Sequence, residues 1–183
     1  MSERGERSIT TRSGDRGTTR LHSGEVVPKH DPRIEALGEV DELVSVLGMA
    51  RAAGLSGEGM EQVCELQRLL FRLGAVLADA PGPADESGIG PEEVDAMDRL
   101  REILEASAAM PADFIVPGAT PGGAALDLSR AVARRVERRL VACADDGIFD
   151  RPDLLVWMNR LSDVLWLLAR REERVSTPLR PGT

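Results

Sequence analysis

The sequence predicts an all-α fold, a five-helix bundle preceded by an extended N-terminal arm. Three observations carry this. Five stretches of the 183-residue chain repeat apolar side chains at three- and four-residue spacing. Pro, Gly or Asp punctuates the links between them. No internal repeat appears, and no run alternates apolar with polar residues as a strand pair of any length requires.

Residues 1–30 lack a helical period and are rich in Gly, Thr, Ser and Arg, so they read as an extended arm containing "TTRSGDRGTTRLHSGE". Asp31 and Pro32 suit the N-cap and first position of a helix. Ile34, Leu37, Val40, Leu43, Val44 and Leu47 then keep a helical period to about residue 53. "GLSGEG" turns the chain into a second helix, about 59–79, with Val63, Leu66, Leu69, Leu70, Leu73, Val76 and Leu77 on one side. "APGPADESGIG" is a loop. The third helix, about 91–108, opens with Pro91, Glu92 and Glu93, acids that suit the positive end of a helix. "MPADFIVPGATPGG" follows, too apolar at its centre for a plain surface loop. A fourth helix runs from about 122 to 145; Asp150 and Pro152 restart the chain into a fifth that ends near Val175. The expected organisation is a single domain, with an arm at 1–30, a bundle at 31–175 and a tail at 176–183.

Composition excludes several classes. The formal net charge of -8 argues against non-specific nucleic-acid binding. No apolar run approaches the roughly 20 residues that span a bilayer, and the charged start "MSERGERSITTRSG" has no apolar signal core. His22 and His30 are the only histidines, which rules out a histidine-based metal cluster. Cys64 and Cys143 lie in separate apolar stretches and read as buried free thiols, which points to a reducing, cytoplasmic setting.

Two helices carry more apolar or polar detail than one bundle face explains. In the fifth, Leu154, Met158, Leu161, Leu165 and Leu168 make a core stripe, yet Val156, Trp166 and Leu167 point elsewhere. A helix apolar over so much of its circumference is buried on more than one side, and an oligomer would supply the second surface. Asn159 and Asp163 sit four apart among those groups and would need buried partners. In the first helix, Asp41 flanks the apolar stripe, where a carboxylate wants a cation.

The obvious cation source is "RAVARRVERRL", residues 130–140, with five arginines in eleven residues of an acidic chain. On a helix, Arg130, Arg134 and Arg138 form one stripe with Glu137 beside them, opposite Val132, Ala133, Val136 and Leu140. Like charges four residues apart repel by a few tenths of a kcal/mol per pair. Either the face is solvated, or something anionic sits there; arginine's planar fork suits phosphate oxygens. "SGDRGTT" could form a backbone nest for phosphate or an ordinary turn, and it lacks the GK[ST] of a Walker loop. Lys29, the only lysine, reads singly as a surface residue, Asn159 with Asp163 as a structural network, and Phe114 as a core plug.

In combination and in this order, these stretches resemble the PduO-type ATP:cob(I)alamin adenosyltransferases. The resemblance is carried by "TRSGDRGTT" (11–19), "GEVVPK" (24–29), "RIEALGEVDEL" with "LGMAR" (33–51), "FIVPG" (114–118), "SRAVARRVERR" (129–139) and "MNRLSDVLWLLAR" (158–170). It implies a homotrimer of five-helix bundles with the active site between subunits, where cob(I)alamin attacks the 5′ carbon of ATP to give adenosylcobalamin and triphosphate. It further implies an ATP cradle of Thr11, Arg12, Ser13, Gly14, Thr19, Arg20, Lys29, Arg134, Glu137, Arg138 and Asn159, with Mg²⁺ held by the phosphates and not by protein side chains. Arg134 and Arg138 would stabilise the leaving triphosphate. Phe114 would be a wedge that helps remove the lower ligand of cobalt. Arg130 would pair with Asp41 across the subunit boundary, and Asp163 would brace the site from the turn after Asn159. A cobalamin reductase and an adenosylcobalamin-dependent enzyme are the implied partners.

The pattern departs from the family's at Ala119 (a second glycine after "PG"), at Val44 (Asn or Ser), at Asp127 (often histidine) and at Glu25–Val27, where an arginine is common before the lysine. The departures near Phe114 and at Asp127 support an alternative, a bundle that binds a corrinoid or a partner without catalysis. A nucleic-acid reading of the arginine stripe has the acidic total against it.

Overall fold

The computed structural model of the protein describes residues 12, 14–79, 89–108, 110–111, 114–173 and 177–179. Within the arm, β1 (Thr18–Arg20) pairs antiparallel with β2 (Val26–Pro28), Thr18 opposite Pro28 and Arg20 opposite Val26. Leu21 and Val27 are buried, which gives this short hairpin an apolar side. Five helices follow: α1 (Pro32–Ala52), α2 (Gly57–Asp79), α3 (Pro91–Ser107), α4 (Pro121–Asp145) and α5 (Pro152–Glu172).

Each helix starts where local chemistry favours it. Proline opens α1, α3, α4 and α5, where its fixed φ fits and its missing N–H would have had no partner. The Asp31 carboxylate accepts the Arg33 N–H at 2.9 Å, the Thr120 hydroxyl accepts the Gly123 N–H at 3.0 Å, and Glu93 accepts the Gly90 N–H at 3.0 Å. Caps of this kind are each worth about 1 kcal/mol.

The helices pack in the order α2, α1, α4, α5, α3, with α2 also touching α5. This placement corrects the expectation for the last helix. α4 lies on one side of α5 and α3 on another, so a single chain covers both apolar faces. Leu154, Trp157, Met158, Leu161, Val164, Leu165 and Leu168 are completely buried, and Leu167 nearly so. Asn159 and Asp163 are not buried among them; both are exposed, on a strip that they share with the exposed Val156. The circumference of α5 is therefore no argument for an oligomer. Asp41 is exposed as well. The buried stripe of α1 runs through Ala36, Val40, Leu43, Leu47 and Ala50, and Asp41 follows Val40 by roughly 100° of helix rotation.

Two strand pairs stand where none was expected. Besides the hairpin, β3 (Ile115–Val116) pairs antiparallel with β4 (Thr177–Pro178). Strands of three and two residues are too short for alternation to register in the sequence. Among the described residues, no helix is long and apolar enough to cross a membrane.

The hairpin is fastened to α1 through Arg33. Its guanidinium reaches Asp31 at 2.9 and 3.0 Å and Glu25 at 2.8 and 3.2 Å. Hydrogen bonding to Arg33 is the largest influence on both acids and holds Glu25 below its ordinary 4.5 and Asp31 below its ordinary 3.8. The guanidinium's own pKa is raised by the same bonds, Asp31 first. Carboxylates depressed in the folded state stabilise it fully above their ordinary values and lose that contribution as pH falls through the lowered ones. We expect the thermal midpoint to fall as pH drops below about 4.5, and the fall to be shallower in Arg33→Leu. A calorimetric pH series measures it; identical slopes for the two proteins would contradict the clamp.

Candidate functional site

The arm brings five of the expected residues, Arg12, Gly14, Thr19, Arg20 and Lys29, onto one turn and the hairpin that follows it. Gly17 has a φ of +79°, a conformation that favours glycine, and its N–H bonds the Gly14 carbonyl at 3.1 Å. The Lys29 N–H returns to the Gly17 carbonyl at 2.9 Å, which sets Lys29 beside the turn. Gly14 leaves room for that lysine: a Cβ there would stand 3.0 Å from Lys29 Nζ. Arg12 is exposed at the loop's edge, with its own φ at +59°. Thr19 is half-buried in β1, and the exposed Arg20 bonds the Gly24 carbonyl with its guanidinium, which braces the hairpin turn. Thr11 and Ser13 lie outside the described residues.

On α4 the five arginines divide in two. Arg135 pairs with Glu42 and Glu39, and Arg139 with Glu39 at 3.2 Å and Glu35 at 3.5 Å, all three acids on α1. These two arginines are thus zipped to a neighbouring helix, and the sparse-acid argument from sequence does not apply to them. Arg130, Arg134 and Arg138 point away and form no ion pair among the described residues. Arg138 Nη1 donates to the Arg134 carbonyl at 2.9 Å, one turn back on the same face. Both are exposed.

Beside them, Asn159 Nδ2 donates to Glu137 Oε1 at 2.9 Å. Arg160 donates to Asn159 Oδ1 at 3.1 Å and to Asp98 at 2.9 Å, so a polar chain joins α3, α5 and α4. One amide proton of Asn159 is used in this chain, and the other remains for a ligand. The exposed Asp163 forms no hydrogen bond or ion pair among the described residues.

One end of the arginine stripe opens on a cavity of about 710 Å³ lined by Phe114, Ile115, Pro117, Arg130, Trp166 and Arg170, among others. Phe114 is 79% exposed, so it does not plug the core. Gly118, at φ +113°, turns the chain from β3 toward α4, whereas Ala119 has no positive φ and needs no glycine. Arg130 to Arg138 spans about 12 Å of helix, so α4 runs from the apolar cavity to bare cations. Asp41 lies elsewhere, by a cavity of about 300 Å³ lined with Leu37, Val44 and Phe71. Asp41 and Arg130 do not pair within the chain. Nor does any hydrogen bond or ion pair among the described residues join the hairpin to Arg134 or Arg138.

Sequence reasoning missed one cluster here. Arg170, with only 2% of its side chain exposed, bridges Asp127 at 2.6 Å and Glu173 at 2.9 Å, and its guanidinium lies 5.3 Å from the centre of the Trp166 ring. Asp127 had stood out only as an unusual residue for its position. A buried, doubly paired arginine on an apolar helix was its only available signal.

Residues 9–172 match the family model described as cobalamin adenosyltransferase. The chain belongs to that family. A corrinoid adenosyltransferase from Citrobacter freundii is 37% identical over 172 residues, 90% of this chain and 94% of that protein. The corrinoid adenosyltransferase MMAB of Mus musculus is 34% identical over 169 residues, 88% of this chain and 71% of the mouse protein. The chain spans about half the length of the PduO corrinoid adenosyltransferases of Citrobacter freundii and Salmonella typhimurium, each 37% identical to it. In structure it is similar to a variant of the PduO-type ATP:corrinoid adenosyltransferase from Lactobacillus reuteri complexed with cobalamin and ATP. The TM-score is 0.81 at 30% identity, covering 95% of this chain and all of that one. In this member of the cobalamin adenosyltransferase family two of the five α4 arginines are paired with acids of α1, and the other three form no ion pair among the described residues.

Proposed function

We propose that the protein transfers the 5′-deoxyadenosyl group of ATP to cob(I)alamin, giving adenosylcobalamin and triphosphate, at sites shared between the subunits of a homotrimer. One observation supports this most: α4 carries Arg134 and Arg138, without ion pairs among the described residues, one and two turns beyond Arg130, which lines a cavity with an exposed phenylalanine. The reaction needs both parts. The cobalt(I) electron pair forms the new bond to the 5′ carbon, the C–O bond breaks, and its electrons leave on the triphosphate. The growing negative charge falls on oxygens that Arg134, Arg138 and Lys29 are suited to hold.

In this reading Thr11, Arg12, Ser13, Gly14, Thr19 and Arg20 wrap the phosphates with the hairpin, and Glu137 with Asn159 positions the nucleoside. Phe114 displaces the lower ligand of cobalt. Among the described residues no group of three or more His, Cys, Asp or Glu could hold a metal ion. The stripe of Arg130, Arg134 and Arg138 is cationic and Asp163 is a lone carboxylate beside it, so Mg²⁺ fits best as part of Mg·ATP. The protein's part is then to bind and orient the phosphates and to exclude water from the cobalt face.

The trimer has separate support. Among the described residues no hydrogen bond or ion pair joins the hairpin to Arg134 or Arg138, and neither Asp41 nor Arg130 forms an ion pair. Phe71, beside Asp41, is 65% exposed. A neighbouring subunit would bring Arg130 to Asp41 and complete the cradle; Asp163 would brace it. The free thiols Cys64 and Cys143 suit a cytoplasmic location, with a cobalamin reductase upstream and an adenosylcobalamin-dependent enzyme downstream.

The test is anaerobic absorbance of purified protein with Mg·ATP and chemically reduced cob(I)alamin. Loss of the cob(I)alamin spectrum with growth of a light-sensitive alkylcobalamin, dependent on protein and ATP, is expected. Folded protein that binds both substrates and leaves the spectrum unchanged would favour the non-catalytic bundle instead.

A further inference from the structure

We infer that Glu173, locked by Arg170 and Asp127, is the positioning residue that sets the height of the Phe114 wedge. The inference rests on the proposed adenosyl transfer and concerns how its cobalt side is built.

Phe114 is exposed on a short loop, and an exposed ring can displace a ligand only if its backbone resists being pushed back. Among the described residues the loop is anchored at both ends. At its start, the Phe114 carbonyl accepts the Leu179 N–H at 2.7 Å, and β3 pairs with β4. At its end, the Ala119 N–H donates to Glu173 Oε1 at 3.1 Å.

Glu173 is itself unusually constrained. It caps α5, its N–H bonding the Ala169 carbonyl at 3.1 Å. Its side chain is 1% exposed and paired with Arg170. The first turn of α4 lies flush against it: a Cβ on Gly123 would stand 2.6 Å from Glu173 Cγ. Arg170 is fixed in turn by Asp127 from α4 and by the Trp166 ring. Both carboxylates reach the same Arg170 Nη2, which ties α4 and the end of α5 to one point. The loop end thus inherits its place from α4 and α5 together. Glu173 does not line the cavity, so it acts through the loop and not on the corrinoid.

The two oxidation states of cobalamin separate this role from a general loss of structure. Cob(I)alamin carries no lower ligand, whereas cob(II)alamin must lose one before it can be reduced. The experiment uses Glu173→Ala and Gly123→Ala in the full chain beside wild type, with circular dichroism to confirm folding. Gly123→Ala leaves every charge in place and pushes first on Glu173, whose Cγ, Oε1 and Cδ are the nearest atoms to the added Cβ.

Turnover of pre-reduced cob(I)alamin is expected to stay within about twofold of wild type in both variants. The ligand-free fraction of enzyme-bound cob(II)alamin, read from its spectrum with ATP present, is expected to fall about tenfold relative to the ligated form. Equal losses in both readouts, or a wild-type spectrum in both variants, would overturn the inference. A wild-type protein that fails to turn over cob(I)alamin would sink the proposed function instead, and that result is read independently of the variants.

Discussion

Arg138→Ala is expected to lower adenosyl transfer by about 100-fold or more, the usual cost of removing one donor aimed at a developing negative charge. The fold should survive. Arg138 is exposed, and its one side-chain hydrogen bond among the described residues is to the Arg134 carbonyl. Arg134→Ala should behave alike, and Arg138→Lys should fall between, since it keeps the charge and loses the fork. Arg135→Ala supplies the contrast. It sits on the same helix and carries the same charge, but it is spent on Glu42 and Glu39 of α1. Its activity should remain within about threefold of wild type, and its stability should change little, as for other exposed ion pairs. The anaerobic assay at saturating ATP separates the two groups. If Arg138→Ala and Arg135→Ala lost activity equally, the arginine stripe would be a structural feature and not a phosphate site.

Arg170→Met carries the largest expected cost in stability, about 3–5 kcal/mol. The volume is nearly kept, but Asp127 and Glu173 are left in a buried site without their cation, their side chains only 11% and 1% exposed. Removing one partner of a buried pair is costly because the other charge remains desolvated. Guanidinium denaturation measures it through the midpoint at constant slope. A loss under about 1 kcal/mol would mean that water reaches the two carboxylates, and the rigid anchor for the Phe114 loop would go with it.

Most of the helical fold was legible before any coordinates. Helix starts were marked by Pro32, Pro91 and Pro152, and every helix end fell within three residues of its expected position. Caps and proline act within a few residues, so a linear reading finds them. The two ribbons were not legible, because β3 and β4 are two residues each and lie far apart in the chain.

The site was readable in part. The residue types suit the proposed site, since a stripe of arginines and a Gly-rich turn next to a lone lysine are chemical signatures of anion binding. Which arginines were free was not readable. Arg134 and Arg135 are neighbours in sequence, and only the acids of α1 decide that Arg135 is neutralised. Likewise, the apolar girth of α5 suggested a second chain, until α3 and α4 were seen to cover it. Asn159 and Asp163 were placed in a buried network and proved to be exposed.

Sequence alone was enough for the helices, their boundaries and the kinds of side chain that suit a phosphate, because propensity, capping, amphipathic period and side-chain chemistry are local properties. Tertiary packing decided which charges are satisfied, which faces are covered, and that Glu173 at the end of α5 reaches the Ala119 N–H fifty-four residues earlier. Those outcomes depend on which groups come within a few ångströms of each other, and residue order does not encode such distances directly.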